Sequence, residues 1–374
     1  MLRPALLAAA LAAAFPAHAD PELDALRAEL QEMKSSYEAR IQALETRLQQ
    51  AEAKTDSVAA QAQSASAEPT RSNAFNPDVS LILQGGYAHL DDRTERSITG
   101  FLPSGAEGPS RGFSLSDSEL VLSASVDPYF RGYFNAVLTP DDTVAVEEAW
   151  FQTTSLGHGL SIKGGRFRSG IGYQNEQHPH AWDFATNNLV YDALFGEGYG
   201  QDGLQFKWLA PTDLFLELGA EAGNGNAFPA TNNDSNGATS VALFGHVGGD
   251  VGESNSWRAG LSWLHAKPRN RDFDGVDVND VGVTGDFSGE SNTWLADFVW
   301  KWAPNGNSTQ QNFKFAAEYF QRDESGELSC ADAGADVSLC GGGLAGPYSA
   351  DQSGFYAQGV YQFMPHWRTG YRYD

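Results

Sequence analysis

From Asp78 onward the sequence alternates with a period of two, in about thirteen segments of roughly nine to thirteen residues each. Leu214, Leu216, Leu218 and Ala220 fall on one side, with Glu217 and Glu221 on the other. Trp294, Ala296, Phe298, Trp300 and Trp302 oppose Asp297 and Lys301, and Phe313, Phe315, Ala317 and Tyr319 oppose Lys314 and Glu318. Leu204, Phe206 and Trp208 oppose Gln205 and Lys207, and Phe130, Phe134, Ala136 and Leu138 oppose Arg131 and Asn135. Strand side chains point to opposite faces in turn, so each segment is a strand with one apolar and one polar face. The joints are a second constraint. Those at Asp127-Pro128, 155–159, 210–213, 249–256, 303–310 and Met364-Pro365 are short. They alternate with 91–112, 139–143, 169–200, 223–239, 267–291 and 323–353, all but one of them long. Short turns at one end and long loops at the other predict an all-β fold, a transmembrane antiparallel β-barrel, in preference to a soluble sandwich. Tyr87, Tyr129, Trp150, Trp208, Trp263, Trp294, Trp302, Trp367 and Tyr373 stand near segment ends, as interfacial aromatic girdles do.

Composition excludes other classes. With 24 Lys+Arg against 48 Asp+Glu the formal charge is -24, which repels phosphate and excludes a general nucleic-acid binder. Past residue 15 no apolar run reaches the roughly 18 residues of a membrane helix. No serine-hydrolase, zinc-protease or phosphate-loop motif is present, and no cofactor is implied, so an enzyme is not expected.

Arg3, the apolar run from Ala5 to Phe15, and Ala17-His18-Ala19 read as a secretory signal peptide over 1–19. Residues 20–54 carry Leu23, Leu26, Leu30, Met33, Tyr37, Ile41, Leu44 and Leu48 at three- and four-residue steps. That narrow stripe predicts a short α-helical coiled coil, placed in the periplasm by the barrel's topology, and hence self-association. Residues 55–77 read as a flexible linker and 78–374 as the barrel. The chain stops at Asp374 with no closing strand ending in an aromatic residue. The expectation is therefore a C-terminally incomplete barrel of about thirteen visible strands, sixteen or more when complete. In an oxidising compartment Cys330 and Cys340 are expected to form a local disulfide, with a two-cysteine metal site as the weaker alternative.

Signal peptide, coiled coil, linker and barrel, in that order, resemble the phosphate-selective porin (OprO/OprP-like) family of trimeric outer-membrane channels. Locally, Leu160-Ser161-Ile162-Lys163-Gly164-Gly165-Arg166-Phe167-Arg168-Ser169-Gly170-Ile171-Gly172 resembles that family's strand leading through a small-residue turn into a long loop. Gln201-Asp202-Gly203-Leu204-Gln205-Phe206 is similar to such porins as well. The resemblance implies a homotrimer in the bacterial outer membrane, in contact with lipid and lipopolysaccharide, passing small hydrophilic solutes, including anions such as phosphate. It also implies that 169–200 folds into the lumen. Arg131, Arg166, Arg168, Glu176, His178, His180, Lys207, Lys301 and Lys314 are the candidate pore-lining and constriction residues. The chain departs from the family in its cations: it has seven Lys, five of them after the linker, and no cationic ladder is visible. Glu176, His178, His180 and Asp183 are candidate metal ligands, against ordinary lumen-lining histidines. The alternative function is a non-transport outer-membrane tether or surface-binding protein.

Overall fold

The computed structural model describes residues 77–90, 111–139, 143–231, 236–276, 282–330 and 345–374. The chain divides into Met1–Ala74 and Phe75–Asp374. The leader, the coiled coil and all but the last residue of the linker lie outside the described residues, as does Cys340 and with it the expected disulfide.

The alternating segments become strands. They are β1 (Asp78–Ile82), β2 (Gly85–Ala88), β3 (Gly112–Leu115), β4 (Ser118–Ser125), β5 (Phe130–Leu138), β6 (Val144–Thr153), β7 (Leu160–Arg168) and β8 (Gly200–Leu209). They continue as β9 (Phe215–Gly223), β10 (Ser240–Val251), β11 (Asn255–Ala266), β12 (Arg271–Val276), β13 (Gly282–Trp302), β14 (Asn312–Cys330), β15 (Ala345–Met364) and β16 (Trp367–Tyr373). One antiparallel sheet runs β1-β4-β5-β6-β7-β8-β9-β10-β11-β13-β14-β15-β16, and β12 joins it on β13 as the fourteenth strand. β2 and β3 pair as a separate hairpin. Apart from the β2-β3 hairpin and β12, neighbours in sequence are neighbours in space.

The register places like beside like. Trp208 lies opposite Leu218, Leu218 opposite Gly245, Gly245 opposite Leu261, Leu261 opposite Ala296, Ala296 opposite Tyr319, and Tyr319 opposite Phe355. This row crosses seven strands on one face, and its large side chains are exposed: Leu218 at 46%, Leu261 at 58% and Phe355 at 48%. So wide an apolar surface belongs in lipid or in an interface. The opposite face carries the buried Glu221, His246, Ser262, Asp297 and Glu318. Among the described residues no helix is long and apolar enough to cross a membrane.

Three sequence expectations change. Within 267–291 and 323–353, expected as loops, the described residues 271–276, 282–291, 323–330 and 345–353 are strand. β13, β14 and β15 run 21, 19 and 20 residues. At roughly 3.3 Å per residue they reach about 65 Å, twice the thickness of a hydrocarbon core, so a ribbon continues beyond it. Glu324, inside the expected loop 323–353, is buried in that ribbon and takes both Arg271 amino groups at 2.7 Å. Trp150, expected in a lipid-facing girdle, faces inward and stacks on Tyr133 at 5.0 Å. The cause is a bulge: Asn135 pairs with Glu148 while Ala136 pairs with Val146, which leaves Glu147 as an extra residue. Side-chain direction shifts there, and two consecutive glutamates share the inner face.

Phe298 is 41% exposed on the outward face of β13. Phe298→Arg is expected to cost about 2–4 kcal/mol in urea-titrated refolding into phosphatidylcholine vesicles, with Lys301→Gln on the opposite face changing little.

Candidate functional site

The segment between β7 and β8 turns inward. It leaves β7 at Ser169, passes a single turn of 3-10 helix at Pro179–Ala181, forms the short helix α1 (Leu189–Phe195) and returns at Gly200. Asn188 caps α1 by accepting from the Tyr191 amide at 2.9 Å, and Gly196 ends it at φ 64°. Asn175 closes the base of the loop: its amide donates to the Ser169 and Tyr199 carbonyls and accepts from the Tyr199 amide.

A buried loop must find partners for its own backbone. Here the wall supplies them as carboxylates. Glu221 of β9 accepts from Ser169 Oγ at 2.6 Å and the Gly170 amide at 2.8 Å. Glu318 of β14 accepts from the Tyr173 and Gln174 amides at 2.9 and 3.0 Å and from the Tyr191 and Tyr356 hydroxyls. Gly172 donates to Ser262 Oγ of β11, and its carbonyl accepts from Arg258, which Asp297 holds at 3.1 Å. Gly172 has φ +67°, and a Cβ there would lie 2.3 Å from Glu318 Oε2, so the turn requires glycine on both counts. Farther along, Asp183 meets Lys314 at 2.5 Å and Gln358 at 2.9 Å, and Arg372 of β16 donates to the Thr186 and Asn187 carbonyls.

With the contact of His180 to Glu119 of β4, these reach from β4 to β16, nearly edge to edge of the sheet, so the sheet curls around the loop. Apolar packing reinforces them. Ile171, Val190, Tyr191, Leu194, Phe195 and Tyr199 bury against Ala242, Phe244, Leu264, Leu295, Phe320 and Tyr356 of the wall. Burial, and then the Glu318 carboxylate, push the Tyr191 hydroxyl well above its ordinary pKa, so it stays a donor at physiological pH.

The histidine stretch meets the bulge. His178 Nδ1 is 2.9 Å from Glu147 Oε2, and its Nε2 is 2.9 Å from Glu148 Oε1. His180 Nδ1 is 2.8 Å from Glu119 Oε1 on β4. The sequence-expected metal set is not assembled, since Glu176 is exposed and Asp183 is engaged with Lys314.

The remaining candidates separate. Arg166 lies on the outward face in a two-point pair with Asp202, at 2.7 and 3.1 Å. That corrects its placement at the lumen: Phe167, opposite the buried Gln201, takes the inner position, and Arg166, opposite Asp202, the outer one. Arg168 bonds Glu147. Lys207 pairs with Glu217 at 2.9 Å. Arg131 lies over the Trp150 ring at 5.2 Å, where Lys163 also sits, at 4.8 Å. Lys301 and Lys314 line a cavity of about 600 Å³ by the 249–256 and 303–310 turns, together with Asp183 and Arg368. Sequence reading missed Glu119, Glu147, Glu148, Arg258 and Arg372. Of these, only the broken alternation around Glu147-Glu148 leaves a readable signal.

No protein-family model matches the chain. An uncharacterized protein of Aquifex aeolicus (strain VF5) is 29% identical over 328 residues, covering 82% of this chain. The chain spans 66% of that relative's length. Several solved structures are similar at low identity. OprB of Pseudomonas putida has TM-score 0.32 and 11% identity over 79% of this chain and 88% of that one. The outer membrane channel DcaP of Acinetobacter baumannii has TM-score 0.33 and 12% identity over 81% and 98%. The trimer form of the outer membrane protein OmpT of Vibrio cholerae has TM-score 0.33 and 12% identity over 80% and 89%.

Glu318→Ala strands four donors, two of them loop amides. It is expected to cost at least about 2–3 kcal/mol in urea unfolding from detergent and to open 170–195 to limited proteolysis, with Glu318→Gln milder on both.

Proposed function

We propose that the chain is an outer-membrane porin through which small hydrophilic solutes diffuse passively, with 169–199 as its constriction. The observation that carries this reading is the loop itself. It lies on the polar face of a curled sheet whose other face is apolar and exposed. A lipid-facing wall with a polar interior is a pore wall, and a loop across that interior sets its width.

The inner cations bear on selectivity. Arg168, Lys207 and Lys314 each pair with a carboxylate, so they present no continuous anion path. The phosphate preference implied by the family resemblance is therefore not the reading favoured here. Passage without strong ion preference is. Self-association rests on the coiled-coil pattern of 20–54, and the trimer and the contact with lipopolysaccharide rest on the family resemblance.

One observation favours the tether alternative: the apolar cluster under α1 fills part of the interior. Planar-bilayer recording separates the two. A porin gives steady conductance, and deletion of 174–184 is expected to raise the single-channel current. Unchanged current removes the constriction, and absence of any conductance removes the porin. A reversal potential near zero in a salt gradient is expected, and a strongly anion-selective value contradicts the paired-charge argument.

A further inference from the structure

We propose that Glu119, Glu147 and His178 form a binding site for a divalent transition cation of the zinc class, which ties the infolded loop to β4 and β6. The ligand atoms lie together: His178 Nδ1, Glu147 and Glu119 each offer one atom, all within 4.8 Å of one another. His178 Nδ1 stands 2.9 Å from Glu147 Oε2 and 3.7 Å from Glu119 Oε2.

The surroundings are those of a metal-bound imidazole. The far nitrogen of His178, Nε2, meets Glu148 Oε1 at 2.9 Å. Glu148 is itself fixed, accepting from Trp150 Nε1 at 3.0 Å and from the Arg168 amide at 3.3 Å. A carboxylate holding Nε2–H sets the tautomer and leaves the Nδ1 lone pair facing two carboxylate oxygens, a contact that only a proton or a cation makes favourable. Arg168 bonds Glu147 through Oε1 and leaves Oε2 for the site. Glu119, Glu147 and Glu148 thus converge on one imidazole.

Asn135 is an independent pointer. It is fully buried, its Nδ2 lies 2.9 Å from Glu119 Oε2 and 3.4 Å from both Glu147 Oε2 and His178 Nδ1, and its Oδ1 has no hydrogen-bond partner. A half-turn of the amide places that oxygen among the three ligand atoms. Without a cation it would be repelled there, and with one it becomes a fourth ligand, completing a tetrahedral set of nitrogen and oxygen donors. His180, on Glu119 Oε1, stays outside the set.

The test uses the full chain refolded in detergent, stripped with EDTA and titrated with zinc chloride by calorimetry. One zinc per chain is expected, weakened about tenfold or more by His178→Ala and by Glu147→Gln, each checked for native heat-modifiable migration. Should either variant fail to fold, zinc-edge X-ray absorption of the loaded wild type decides: one imidazole at about 2.0–2.1 Å with oxygen ligands is expected. No zinc binding, affinity unchanged in folded His178→Ala, or a spectrum with two imidazoles overturns the proposal.

Discussion

Buried carboxylates of the wall, accepting hydrogen bonds from the loop's own backbone, are the interaction on which the rest of the structure depends. A loop inside a curled sheet loses water from its amides, and each unpaired amide costs about 1–3 kcal/mol. Glu221 and Glu318 take that role for Gly170, Tyr173 and Gln174. Each is almost wholly buried, so each is tolerable only because several donors converge on it. The dependence is mutual: without the loop the acids are stranded, and without the acids the loop cannot stay inside. Every inference about a pore width or a pinned loop follows from this exchange.

The outward face solves the complementary problem. Its apolar row crosses the sheet without interruption because the register sets Leu218, Gly245, Leu261, Ala296, Tyr319 and Phe355 side by side. Polar positions alternate with apolar ones along each strand, so the average composition is polar although one whole surface is not. The net charge divides in the same way. Many of the acids belong to the interior, bonded to loop amides, histidines and guanidinium groups, and others to the ribbon where Arg271 meets Glu324.

Strand order and facing were legible in the sequence because a period of two is a local property. The assignment of Glu217, Glu221, Asp297 and Glu318 to the inner face needed only alternation, and the register agrees with it. Partners were not legible. That Glu318 serves Tyr173, 145 residues away in the chain, follows from curvature, which no local pattern encodes. The bulge at Glu147 is the intermediate case: Val144 and Val146 point outward, then Ala149 and Phe151, and the break between them is visible in the sequence though its consequence is not. That one extra residue turns Trp150 inward and brings two glutamates to His178. The outer parts of β13, β14 and β15 were read as loops because the alternating segments were bounded at nine to thirteen residues, and these strands run on past that length.

Hydrogen exchange of the full chain in lipid nanodiscs, followed by mass spectrometry, tests the central claim most directly. The amides of Gly170, Gly172, Tyr173 and Gln174 are bonded to wall side chains. Peptides covering 169–177 are therefore predicted to exchange as slowly as those of β9 and β14, over hours. Exchange of that segment within seconds, at the rate of an unprotected peptide, would contradict a loop held inside the wall.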